Sequence, residues 1–120
     1  MVPPVSGGIA PVPLTCPACG GVLAEAPGAS GPRFVCHIGH GFTAPELDRA
    51  QIVHLDTVMS VALRALNERA GLCERFEAAA HDQARHALAA RWAELRREIE
   101  LKAEGIRRLI EHGWGSAAPN

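Results

Sequence analysis

The sequence predicts a mostly α-helical protein with a small β module towards its N-terminal end. Three observations carry that prediction. Residues 43 to 112 contain no proline except Pro45 and keep apolar residues at alternating three- and four-residue steps, the helical period. Aromatic residues are scarce, 3 Phe, 2 Trp and no Tyr against a hydrophobic content of 48%, so a core must come from Ala, Leu, Val and Ile. Residues 15 to 42 instead show two short apolar runs separated by the turn-forming PGASGP. At 120 residues the chain fits one compact unit or a small module with a tail.

Residues 1 to 14, rich in proline and glycine, are expected to form a disordered arm. Residues 15 to 42 follow as a β ribbon, with strands at Val22 to Ala26 and Arg33 to Cys36 forming a hairpin. The helical part, 43 to 113, has a marked start: Thr43 as N-cap, Glu46 three residues on to complete a capping box, and Pro45 in the first turn, where its missing N–H does no harm. Phe42 and Leu47 hold the hydrophobic-staple positions. The first helix is expected from about Ala44 to Ala80 and the second from about Gln83 to His112, with Asp82 as N-cap of the second and Gly113 as the stop. The simplest topology is a long antiparallel helical hairpin turning near residues 81 to 84, placing Phe76 opposite Leu88, Cys73 opposite Trp92, Leu66 opposite Ile99 and Met59 opposite Ile106. A helix broken at Gly71 and folded into a three-helix core is the competing arrangement. Residues 114 to 120 are expected to be a flexible tail.

The chemistry lies in CPACGG and RFVCHIGHG. Cys16-x2-Cys19 is followed after sixteen residues by Cys36-x3-His40, a spacing suited to zinc. A C-P-x-C-G turn aims two thiolates inward and frees backbone N–H groups to bond the sulfurs, and the hairpin returns a second pair to the same corner. Cys16, Cys19, Cys36 and His40 then form a tetrahedral set holding one Zn²⁺ per chain. His37 competes for the fourth place, but adjacent side chains in an extended segment diverge, so His40 is preferred. Three thiolates and one imidazole leave no open position for an activated water, so the zinc is expected to be structural. Its binding free energy, on the order of 10 to 16 kcal/mol in small zinc modules, offsets the ordering of a ribbon with little core.

Other chemistry finds no support. Helical di-iron sites need Glu-x-x-His, and none of His54, His81, His86 or His112 has a carboxylate three residues before it. HExxH, GxSxG and P-loop motifs are absent, and Cys73 lies on the apolar face of the first helix as a small core residue. No catalytic constellation is present, so the chain is expected not to be an enzyme. The net charge is -1, and residues 43 to 112 interleave 11 basic with 12 acidic side chains, which argues against nucleic acid as a partner. No apolar run is long enough to span a membrane, and the N-terminus lacks the basic start and apolar core of a signal peptide, so a cytoplasmic chain is expected.

The runs TCPACGGVLAE and RFVCHIGHGFTAPEL, with the helical segment VALRALNERAGL, resemble the C-terminal extension of CheB-type protein-glutamate methylesterases of bacterial chemosensory systems. The resemblance covers roughly Thr15 to Ile110. It implies the ligand set Cys16, Cys19, Cys36 and His40 with a helical hairpin behind it. That family's Ser-His-Asp esterase lies in an upstream α/β domain that these residues do not include, so esterase activity does not carry over. The resulting expectation is a non-catalytic, zinc-stabilised adaptor or accessory module of bacterial signalling, with a protein partner. Two other readings stay open: a regulatory tail or fragment of a methylesterase acting with a catalytic partner chain, and a zinc or thiol-redox sensor. A hairpin this long cannot bury all its apolar surface, which points to a homodimer through the helices.

Overall fold

A computed structural model describes residues 10–115. Four strands, β1 (Ala10–Thr15), β2 (Val22–Ala26), β3 (Arg33–Cys36) and β4 (Gly41–Thr43), precede two helices, α1 (Ala44–Asp82) and α2 (His86–His112). The chain divides into two compact units, one taking the residues up to His54 together with those from Gly115 on and the other spanning Leu55–Trp114, so one boundary falls inside α1.

In the first unit the strands form an antiparallel sheet in the order β1-β2-β3-β4. The β2–β3 hairpin has the expected bounds, with Leu23 opposite Cys36 and Glu25 opposite Phe34. The expected arm needs correction, because residues 10–14 belong to β1; residues 1–9 lie outside the described residues. Pro11 and Pro13 are tolerated because β1 is an edge strand, where a missing N–H need not break a ladder bond, and the register slips between Pro11 and Thr15. The core of this unit is Cys16, Leu23, Cys36 and Leu47, with Val12, Phe34 and Phe42 packed against it. Leu47, from the first turn of α1, therefore joins the sheet core beside Phe42, its staple partner. The capping box forms as expected: the Thr43 N–H donates to Glu46 Oε1 at 2.9 Å, and the Glu46 N–H donates to Thr43 Oγ1 at 3.3 Å.

The second unit is an antiparallel helical hairpin. α1 runs unbroken through Gly71, so the three-helix alternative is not realised. Cys73, Ala80, Ala89, Ile99 and Ala103 are buried, and the small residues among them allow close helix approach. Phe76 and Trp92 stack with ring centroids 4.9 Å apart, and Arg96 of α2 reaches both Glu77 (3.3 Å) and Glu100 (2.8 Å).

Three details of the hairpin differ from expectation. The turn occupies residues 83–85, and Asp82 ends α1 without capping α2, whose N-cap Arg85 makes no side-chain cap bond. The Arg85 N–H donates to the Ala80 carbonyl and the Ala84 N–H to the His81 carbonyl, the two bonds of a Schellman cap, with Ala84 at φ 56 in the place glycine usually takes. The later turn shifts the helix register, so Phe76 stacks on Trp92, one helical turn beyond the expected Leu88. Finally, Trp114 is not part of a loose tail, since its indole N–H donates to Asp56 Oδ1; residues 116–120 lie outside the described residues.

Candidate metal centre

Two tight turns build the site. After β1, the Cys16 N–H donates to the Gly21 carbonyl at 2.6 Å and the Gly20 N–H to the Cys16 carbonyl at 2.7 Å, with Gly20 at φ 78. After β3, the Cys36 N–H donates to the His40 carbonyl at 3.0 Å and the Gly39 N–H to the Cys36 carbonyl at 3.1 Å, with Gly39 at φ 100. Both glycines stand in the left-handed region, where other side chains are strained. Pairing of β2 with β3 sets Leu23 opposite Cys36 and brings the two turns to one end of the sheet.

Cys16, Cys19, Cys36 and His40 converge there, with ligand atoms all within 4.8 Å of one another. Cys19 Sγ lies 3.7 Å from Cys36 Sγ, and His40 Nδ1 lies 3.6 Å from Cys16 Sγ and 3.3 Å from Cys36 Sγ. Tetrahedral zinc with ordinary bond lengths sets sulfur–sulfur edges of about 3.8 Å and sulfur–nitrogen edges of about 3.5 Å. The donor set and its spacing thus fit a single structural Zn²⁺, with His40 offering Nδ1.

Local hydrogen bonding favours thiolate at Cys36. Burial works against the charged form, but the backbone N–H groups of Ile38 and His40 and the side chains of Cys19 and His40 outweigh it, bringing Cys36 down to about 6. The His40 N–H to Cys36 Sγ distance is 3.3 Å. Cys19 moves the other way: a backbone hydrogen bond from Gly21 lowers it, while burial and the sulfurs of Cys36 and Cys16 together raise it further.

His37 does not join the cluster. Its ring lies over Gly21, so close that a β-carbon at that position would come within 2.6 Å of His37 Cε1 and Nδ1 and 3.4 Å of Cys19 Sγ. The imidazole is thus a wall beside the site, and the second glycine of CPACGG exists to make room for it. Sequence spacing singled out the four residues that cluster here and missed this contact; the GG pair was its only signal. Cys73 is buried within the hairpin as expected, and among the described residues His54, His81, His86 and His112 join no metal-ligating cluster of three or more groups. No family model, curated protein or solved structure matches the chain.

Proposed function

We propose that this chain is a non-catalytic, zinc-stabilised protein-interaction module, an adaptor or accessory in bacterial chemosensory or related signalling. The observation that carries the reading is the closed donor set of Cys16, Cys19, Cys36 and His40, which occupies all four positions of a tetrahedral metal and leaves none for water or substrate. Zinc then acts as scaffold for the sheet, and the helices supply surface. Free cysteines suit a reducing compartment, so the reading includes the cytoplasm. The link to chemosensory methylesterases rests on the CPACGG, RFVCHIGHG and VALRALNERAGL segments alone.

The test combines elemental analysis with an ester assay. One zinc per chain, and no turnover of a glutamyl methyl ester by the zinc-loaded protein, is the expected result. Turnover, or a folded β unit without metal, overturns the reading. A second reading, a zinc or thiol-redox sensor, draws on the exposure of Cys19 and its 3.7 Å approach to Cys36. It requires zinc release under mild peroxide that reverses with a thiol reductant, whereas the scaffold reading expects retention.

A further inference from the structure

The hairpin unit carries a second apolar row beside its seam. At about 100° per residue, Val58, Val61, Ala65, Leu72, Phe76 and Ala79 fall within an arc of about 60° on α1, roughly a quarter-turn from buried Cys73 and Ala80. All six are exposed; Val58 and Val61 are 47% and 51% accessible, Leu72 and Phe76 both 41%. The row is also palindromic. Its successive steps are three, four, seven, four and three residues, symmetric about the point between Glu68 and Arg69.

A two-fold interface requires a patch that matches its own reverse. We infer that this row pairs with the same row of a second copy, α1 against α1 and antiparallel, about an axis crossing between Glu68 and Arg69. That register sets Val58 against Ala79 of the second copy, Val61 against its Phe76 and Ala65 against its Leu72. Each pair joins a larger side chain to a smaller one, the condition for interdigitation at even spacing. An independent feature lies where Val58 and Val61 of the second copy arrive: a shallow apolar cleft of about 210 Å³ lined by Phe76, Ala79, Ala80, Gln83, Leu88 and Trp92. The polar middle of the row falls on the axis, where Glu68 is paired with Arg64 on its own helix at 3.8 Å and can lean to solvent.

The size is sufficient. From Val58 to Ala79 the row extends about 32 Å; one helix wide it offers roughly 320 Å² per copy, and the same two-fold axis lays the neighbouring α2 face on its counterpart, which brings the patch to roughly 600 Å² per copy, at the lower end of specific interfaces. The inference deepens the interaction-module reading by naming the partner as a second copy. Zinc content measured on the same sample separates the two: a zinc-loaded monomer removes the dimer alone, while a metal-free dimer removes the module reading alone.

Sedimentation equilibrium of the full chain is expected to show twice the 12.7 kDa mass at tens of micromolar, with dissociation on dilution. Val61→Glu and Leu72→Glu, both at exposed positions outside the Phe76–Trp92 stack, are each expected to raise the dissociation constant by about thirtyfold or more at unchanged helical signal. The register is read with a short bis-maleimide: Glu68→Cys joins to its symmetry mate above the wild-type level, whereas Val58→Cys, about 33 Å from its own mate, does not. A one-chain mass up to about 200 µM overturns the proposal. So does a dimer indifferent to both glutamate variants, or one cross-linked through Val58→Cys. A different helical protein bound on this row in place of a second copy likewise overturns it.

Discussion

At the scale of single residues, the contact between His37 and Gly21 is the tightest constraint beside the metal centre. Gly21→Ala drives a methyl group into the imidazole, so either the ring swings out or the knuckle opens. The expected cost is about 1 to 3 kcal/mol, as for other overpacking, and the double variant with His37→Ala is expected to recover most of it. Zinc affinity by chelator competition reads both; failure of the second substitution to rescue the first would show that Gly21 is required for its backbone and not for space. Glu46 gives a pH-dependent expectation. Hydrogen bonds from the backbone and side chain of Thr43 lower its pKa, helped by Arg33 and Arg49 against a small desolvation cost. A carboxylate lowered in the folded state contributes stability that is present above its unfolded value and lost as pH falls through the folded one. Thr43→Ala would leave the backbone donor to the carboxylate in place, so Glu46→Gln is the informative variant: it is expected to be less stable than the parent at neutral pH and to flatten the loss of stability on acidification below the ordinary glutamate range. Urea titrations of both proteins at several pH values check it. The four-residue cluster was legible because zinc chemistry restricts residue type and spacing together; the seat of His37 over Gly21 was not, since divergence from Cys36 says only that its ring turns away, not what it packs on.

At the scale of the elements, glycine substitutions of opposite sign separate helix interior from helix end. Gly71 lies inside α1 with nothing within 4 Å of a β-carbon built on it, so Gly71→Ala is expected to stabilise the hairpin by about 0.5 to 1 kcal/mol. Ala84 occupies the left-handed position of the Schellman cap, where a β-carbon carries a penalty of about 1 kcal/mol, so Ala84→Gly is also expected to stabilise. Thermal melts of the two variants and their combination test additivity across two distant sites. The same pair explains what the sequence hid. Gly71 is a helix breaker by propensity, overridden here by continuous helix packing, while the true end of α1 carries alanine and gives no glycine signal. Asp82 then looked like a cap for the next helix, which moved the expected turn early and the facing pairs by about one turn. The capping box at Thr43 and the stop at Gly113, whose N–H reaches the Leu109 and Ile110 carbonyls, were legible because both carry their usual side-chain signatures.

At the scale of the whole molecule, the two units are stabilised by different means. Among its described residues the first has a core of four buried side chains, two of them cysteines of the metal cluster, so little apolar burial there is available to order its turns. The second carries its own buried seam, the Phe76–Trp92 stack and the Arg96 bridge to Glu77, and none of these involves the metal. Removing zinc with a strong chelator at neutral pH is therefore expected to abolish amide protection across β1 to β4 while leaving protection within 55–112 close to its starting level. Far-ultraviolet helicity should change little, and re-addition of one equivalent of zinc should restore the lost protection. Acid should act in the same direction, because the thiolates must be deprotonated to bind and metal affinity falls as protons compete for them. Hydrogen exchange read by mass spectrometry resolves the two regions directly. Collapse of the helical signal on chelation would show that the sheet, and through it the metal, contributes to the stability of the hairpin, and the division into separately stabilised units would fail.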